Sequence, residues 1–385
     1  MARTGPESFD EKPMPRISLC MIVRDEAQNL ERCLRSVAGV VDETCVLDTG
    51  STDGTAELAA RLGARVGRAE WTADFAAARN ASVALASGDW VLVLDADEEL
   101  DLSAHGSEEL RARLLAFARA SQGRAGRLRI RNRLGGGEMS EADIVRFFAR
   151  DPLGCYEGRI HEQWTVAGSI PPRADTDVAV LHHGYAGETV ERRGKLARNL
   201  ELLAAELEAH PSDGYGWYQY GRTLSAAGEH AHALEALEQA LNLSCDADEW
   251  AVHAVELGAL ALRALGHVEQ ARTLVEGALG MAAERTDTRF LAALLALDCG
   301  DVTSAELGFR ACLAQGPSRS GVERSEAAGG WAAAYNLGVI CEHTGRPEEA
   351  ASLYRAALAA RPGDPRCAAG LERLEGPLPR GPAIR

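Results

Sequence analysis

"VLVLDADEEL" occupies residues 91–100. Four aliphatic residues read as a strand covered on both faces. Four acids then crowd its end: Asp95, Asp97, Glu98 and Glu99. Like charges this close cost free energy unless a cation lies among them. The stretch therefore asks for a metal ion, an arginine partner or solvent.

Working outward, "ISLCMIV" (17–23) reads as a strand and "EAQNLERCLRSVAGV" (26–40) as an amphipathic helix. "ETCVLDTG" (43–50) is a second strand, "GTAELAARLG" (54–63) a second helix and "FAAARNASVALAS" (75–87) a third helix. "WVLVLDA" (90–96) is a third strand. This alternation predicts an α/β, Rossmann-like domain with a mostly parallel sheet and helices on both faces. Ligands bind at the carboxyl ends of such strands. Three polar strand ends would meet there: Arg24, Asp25 and Glu26 after the first, Asp48, Ser51 and Asp53 after the second, and the acids after the third. Asp53 with Gly54 is expected to cap the following helix. Asp74 either caps the helix at 75 or approaches the ligand.

After about residue 190 the strand signals stop, and helix follows helix. "WYQYGRTLSAAGEHAHALEALEQALNLS" from Trp217 and "YNLGVICEHTGRPEEAASLYRAALAARP" from Tyr335 share small residues at the spacing of a tetratricopeptide repeat. These are Gly221, Gly228, Ala233 and Ala240 in the first, and Gly338, Gly345, Ala350 and Ala357 in the second. Weaker copies carry Gly266, Ala271 and Ala278, then Gly300, Ala305 and Pro317. The glycines at 228, 266, 300 and 345 lie 38, 34 and 45 residues apart, and "GPSRSGVERSEAAGG" (316–330) inflates the last gap. Each unit is a helical hairpin whose faces are buried only by stacking on its neighbours, giving an all-α solenoid.

The composition sets limits. A formal net charge of −16 argues against a general nucleic-acid binder. No run approaches 18 apolar residues, so no transmembrane segment is expected. The polar opening reads as a disordered leader rather than a signal peptide. Nine cysteines without a CxxC suit a reducing compartment. The expected location is the cytoplasm, with peripheral membrane attachment left open. The expected organisation is a leader (1–15), an α/β domain (16–190), a linker helix (191–212), about four repeats (213–375) and a tail (376–385).

"SLCMIVRDEAQNLERCLRSV", "VLDTGSTDGT" and "LDADE", in that order, resemble the family 2 glycosyltransferases of the GT-A fold. "WTADFAAARN" and "GRIHEQW" resemble a subgroup that carries tetratricopeptide repeats after the catalytic domain and includes peptide S-glycosyltransferases. The resemblance covers roughly residues 16–240. It implies a nucleoside diphosphate sugar donor, with Glu26 and Asp48 accepting hydrogen bonds from base and ribose. Carboxylates suit that work because they are acceptor-only. It implies that Asp95 and Asp97 form the Asp-x-Asp motif. Asp95 would reach the sugar or ribose, and Asp97 would hold a divalent cation, Mn²⁺ or Mg²⁺, by hard oxygen ligation. Glu98 and Glu99 are expected to start the next helix or face solvent.

Arg79, in the Phe-x-x-x-Arg-Asn pattern, and Arg146, in "DIVRFFAR" (143–150), are assigned to the donor phosphates, with an acid of the site as the other partner open to Arg79. Arg127, Arg129, Arg131 and Arg133 alternate along "GRLRIRNRL" (126–134) and share one strand face. That face would line an anionic groove or meet solvent. An inverting transfer needs a base beside the acceptor. "YEGRIHEQW" offers Glu162 and His161, with Glu162 favoured because a carboxylate stays ionised near neutral pH. "VLHHGYAG" (180–187) supplies His182 and His183 as candidate metal ligands, beside Tyr185.

The sequence thus predicts a metal-dependent, inverting hexosyltransferase. Its acceptor would be a peptide or protein side chain, a secondary metabolite or another small molecule, or a surface glycan precursor. The repeats would bind acceptor or partner, or pair two copies as a homodimer. The alternative is a non-catalytic nucleotide-binding scaffold whose repeats recruit a protein. A nucleotidyltransferase would carry a glycine-rich loop after the first strand, and "VRDEAQNL" has no glycine.

Overall fold

The computed structural model describes residues 14–133, 139–183, 189–245, 248–319 and 321–376. The expected leader and tail fall almost wholly outside these residues, as does Tyr185. The chain divides into two compact units. The first holds residues up to Leu128 with Val145–Glu157 and Glu162–Val180. The second holds Arg129–Ile144, Gly158–His161 and Leu181–Arg385.

The first unit is built on β1 (Ile17–Val23), where every residue but Ile22 is buried. Strand β2 (Glu43–Asp48) runs parallel to it, from Ser18 opposite Glu43 to Val23 opposite Asp48. Strand β3 (Arg65–Arg68) is parallel to β2, and β4 (Trp90–Val93) is parallel to β1 on its other side. Helices α1 (Ala27–Ser36), α2 (Thr55–Arg61) and α3 (Phe75–Val83) connect them. The order reverses at β1, which is where α/β sheets open a binding crevice.

Beyond β4 the sheet becomes mixed. After β5 (Glu98–Leu100) and α4 (Ser107–Ala120) come β6 (Ala125–Arg133) and β7 (Met139–Ala149), and β7 runs antiparallel to β4. With β10 (Arg173–His182) the order is β3-β2-β1-β4-β7-β6-β10-β5. The acid run therefore leaves a buried strand for a turn, and Glu98 and Glu99 start the short strand β5, not a helix. A separate hairpin, β8 (Gly154–Glu157) with β9 (Gln163–Val166), packs its Trp164 face to face on Phe148 of β7, ring centres 4.0 Å apart. A Cβ on Gly154 would lie 2.2 Å from the Trp164 ring, so only glycine admits that stacking.

In the second unit, α5 (Thr189–Ala209) precedes four helical hairpins. These are α6 (Gly214–Ala227) with α7 (His230–Leu243), α8 (Ala251–Ala264) with α9 (Val268–Ala278), α10 (Thr286–Asp298) with α11 (Val302–Gln315), and α12 (Trp331–His343) with α13 (Pro347–Ala360). Helix α14 (Pro365–Glu375) follows. Gly228, Gly266, Gly300 and Gly345 turn each hairpin with φ between 76° and 85°, a conformation that costs other residues. Among the described residues, no helix is long and apolar enough to cross a membrane.

The 316–330 segment is more than a loop. Its Arg324 and Ser325 form β11, antiparallel to β7 at Glu141 and Ser140. Arg324, 3% exposed, donates to Asp143 at 2.7 Å and Glu141 at 2.9 Å. Further along the segment, Ser318 and Ser325 bond Asp287, and the Glu323 carbonyl accepts from Arg285. The arginines of β6 also find acids. Arg127 pairs with Asp175 at 2.8 Å, and Arg129 and Arg131 lie 3.8 and 3.4 Å from Glu141. Arg127, Arg129 and Arg131 thus meet acids, while Arg129 and Arg133 are also exposed to solvent.

Candidate active site

The carboxyl ends of β1 and β2 are stitched together by short polar side chains. Asp25 sits at φ 53° and accepts from the Thr52 N–H at 2.7 Å, while its own N–H donates to Ser51 Oγ at 2.9 Å. Asp53 accepts from the Thr55 N–H and also from the Ala27 N–H, both at 3.0 Å. It therefore holds the first turn of α1 as well as the start of α2, a role the sequence reading had confined to the following helix. Glu26 stands just before α1, accepts from Asn29 Nδ2 at 2.9 Å and has its N–H held by Thr55 Oγ1.

Asp48 lies at the end of β2, 4% exposed. Its Oδ1 accepts the N–H groups of Gly50 and Ser51, each at 3.0 Å. Its Oδ2 is buried without a hydrogen-bond partner. A cleft of about 400 Å³ opens beside it, lined by Asp48, Gly50, Ser51, Arg68 and Glu70. Burial alone would raise the pKa of this carboxyl. The hydrogen bonds from Ser51 and Gly50 and the charge of Arg68 outweigh it and hold the group below its usual range. The result is an ionised acceptor with one oxygen uncommitted, at a place where a ligand fits.

The acids after β4 find their cations within the chain. Arg79 of α3 is 7% exposed, and its Nη2 donates to Asp95 Oδ1 at 2.6 Å. Its Nε donates to Glu162 Oε1 at 3.0 Å. Arg146 of β7 donates through Nη2 to Asp95 Oδ2 and to Glu98 Oε1, each at 2.9 Å. The other oxygen of Glu98 accepts the Asp95 N–H at 2.8 Å. Withdrawal from water would raise the pKa of Asp95, but the two guanidiniums drive it well below the ordinary carboxylate range. Burial would lower the pKa of both arginines, and their acidic partners raise it instead.

Arg79, Asp95, Arg146 and Glu162 thus come together, with Glu98, expected to start the next helix or face solvent, as a further member. An ionisable residue inside an apolar run is the signal for such a network, because a buried charge requires a partner. Arg146, between Val145 and Phe147, carries that signal. The next residue of the Arg-Asn pair has its own task. Asn80 Nδ2 donates to the Tyr156 carbonyl at 2.9 Å, and its Oδ1 accepts the Tyr156 N–H at 2.7 Å. Asp74 caps α3 by accepting the Ala77 N–H at 2.8 Å, which settles its role.

The donor set offers oxygen to a hard cation. Asp95 has both carboxyl oxygens on arginines, and Asp97 sits half-buried on the turn two residues on. Among the described residues, no three His, Cys, Asp or Glu side chains gather as a metal site. A single carboxylate suits an ion such as Mg²⁺, which takes much of its shell from phosphate and water.

The three histidines fall in the second unit. Burial, with the Arg222 charge, pushes His161 down to about 3, and its Nε2 is buried without a partner. It stays neutral across the physiological range. His182 Nδ1 lies 2.8 Å from Asn132 Oδ1, and the Asn132 amide donates to Ser140 Oγ. In the neutral ring Nδ1 then carries the proton, and Nε2 is the acceptor, the form a metal ligand takes. His183 follows directly after β10.

Comparison with known proteins agrees with this architecture. Residues 18–104 match the family described as "Glycosyl transferase family 2". Residues 215–244 and 322–365 match tetratricopeptide repeats. A TPR repeat-containing protein of Synechococcus elongatus is 36% identical over 247 residues, 59% of this chain and 57% of that one. The SPbeta prophage-derived glycosyltransferase SunS of Bacillus subtilis is 24% identical over 244 residues, 61% of this chain and 55% of that one. An uncharacterized glycosyltransferase of Rickettsia felis is 39% identical over 87 residues, 23% of this chain and 30% of that one. The chain spans about half the length of the first two relatives. It carries a glycosyl transferase family 2 domain followed by tetratricopeptide repeats.

Proposed function

We propose that this protein is an inverting glycosyltransferase that moves a sugar from a nucleoside diphosphate to an acceptor. The observation that carries the proposal is the uncommitted, buried Oδ2 of Asp48, a residue that lines the cleft at the end of β2. An ionised acceptor held ready by two backbone N–H groups suits the N–H of a base or the hydroxyls of a ribose. Glu26, across the stitched loops, is the second acceptor for the nucleoside.

Asp97 would hold a divalent cation, Mn²⁺ or Mg²⁺. Such an ion supplies Lewis-acid stabilisation of the departing diphosphate. On the chain's side, Glu162 takes the proton from the acceptor O–H or S–H as the nucleophile bonds to the anomeric carbon. The bond from that carbon to the phosphate oxygen breaks, and the nucleoside diphosphate leaves with the electron pair. Glu162 is favoured as the base because it belongs to the Arg79–Asp95 network, whereas His161 falls in the second unit. Arg79 and Arg146 are engaged by acids, and their contribution to the phosphates is secondary.

The acceptor is a peptide or protein side chain, a small molecule or a glycan precursor, and the repeats serve acceptor, partner or a second copy. The test is donor binding by calorimetry across UDP-, GDP- and TDP-hexoses with Mn²⁺. Asp48→Asn should keep the fold and weaken binding of the preferred donor by about 10- to 100-fold. Unchanged affinity in that variant would remove Asp48 from the donor site.

A further inference from the structure

Resting on the glycosyl-transfer reading, we propose that Arg79 is the positioning residue of the transfer step: its guanidinium joins the donor-side Asp95 to the acceptor-side base Glu162. Two different atoms of one planar group make the two bonds, Nη2 at 2.6 Å and Nε at 3.0 Å, so the acids are fixed relative to each other in distance and in plane. The guanidinium is itself held. Its helix is capped by Asp74, and Asp95 is gripped from the other side by Arg146. Asn80 pins the backbone of Tyr156 in β8, the hairpin partner of the strand that begins after Glu162.

Consecutive residues of one helical turn therefore set both the end of β4 and the hairpin that carries the base. The charge count agrees. Arg79 and Arg146 face three carboxylates, Asp95, Glu98 and Glu162, which leaves no cationic surplus for a diphosphate. An arginine spent this way acts through Glu162 and makes no bond to the donor that the reaction depends on.

The experiment is a double-mutant cycle on hydrolysis of whichever UDP-, GDP- or TDP-hexose the wild type turns over with Mn²⁺. Arg79→Lys keeps the charge and loses the fork. It should lower kcat by about 100-fold, with donor Kd changed by no more than about 3-fold. Glu162→Gln should lower kcat comparably. Adding Arg79→Lys to Glu162→Gln should cost no more than about 3-fold further, because one residue works through the other.

If Arg79→Lys fails to fold, Glu162→Asp serves instead. It draws the carboxylate back from Arg79, and the same loss of kcat at constant donor Kd is expected. A raised Kd with kcat retained would make Arg79 a phosphate ligand and overturn the proposal, as would independent effects that multiply in the double variant. Wild-type protein that turns over no sugar nucleotide would sink the glycosyl-transfer reading itself, and this inference with it.

Discussion

Both carboxyl oxygens of Asp95 are taken by guanidinium groups, and both arginines are largely buried. Removing that carboxylate breaks two ion pairs and leaves Arg79 only Glu162 and Arg146 only Glu98. Asp97, two residues on, sits half-buried on the turn. The two aspartates of the motif should therefore separate by experiment. Asp95→Ala should destabilise the first unit by about 1–3 kcal/mol, measured by urea unfolding. Asp97→Ala should leave the unfolding midpoint nearly unchanged and abolish sugar-nucleotide turnover. Equal stability losses would contradict the separation. From the sequence, the crowding of acids was visible and the need for a cation followed from it. The identity of the cation was not visible, because Arg79 and Arg146 lie 16 and 51 residues away and reach Asp95 only through the packing of α3 and β7. Asp48 was legible as a candidate, but its empty oxygen was not, since that depends on how the Gly50–Ser51 turn closes over the other one.

Among the elements, β1, β2 and β4 were readable because strands buried on both faces are continuous apolar runs. Strand β7 was harder. It carries Glu141, Asp143 and Arg146 among apolar residues, and its charges make sense only beside their partners. The 316–330 segment looks like an insertion by repeat spacing, yet Arg324 closes a buried pair with Asp143 and Glu141. Arg324→Ala leaves Glu141 and Asp143 only their longer contacts with Arg129 and Arg131 and should cost the second unit about 1–3 kcal/mol, read as a fall in its urea midpoint. Arg324→Lys, which cannot reach two acids at once with the same fork, should recover only part of it. A loss below about 0.5 kcal/mol, the range of ordinary surface changes, would show that the segment is a passive loop. Spacing alone could not distinguish these, since β11 pairs with residues more than 180 positions earlier.

For the molecule as a whole, the change from strand–helix alternation to helix upon helix was plain in the sequence, and the glycines at 228, 266, 300 and 345 that marked the repeats each turn a helical hairpin. The mixed character of the sheet beyond β4 was not, because an antiparallel strand and a parallel one share the same apolar signature when both faces are covered. We propose that the acids at the strand ends bind a sugar nucleotide and release its diphosphate. The most direct measurement is nucleoside diphosphate release by the full chain from a panel of UDP-, GDP- and TDP-hexoses, with Mn²⁺ and with chelator. At least one donor should be turned over with the metal, lose most of its turnover under chelation, and be inert with Asp97→Ala. A panel in which no sugar nucleotide binds or turns over, with or without metal, would contradict it.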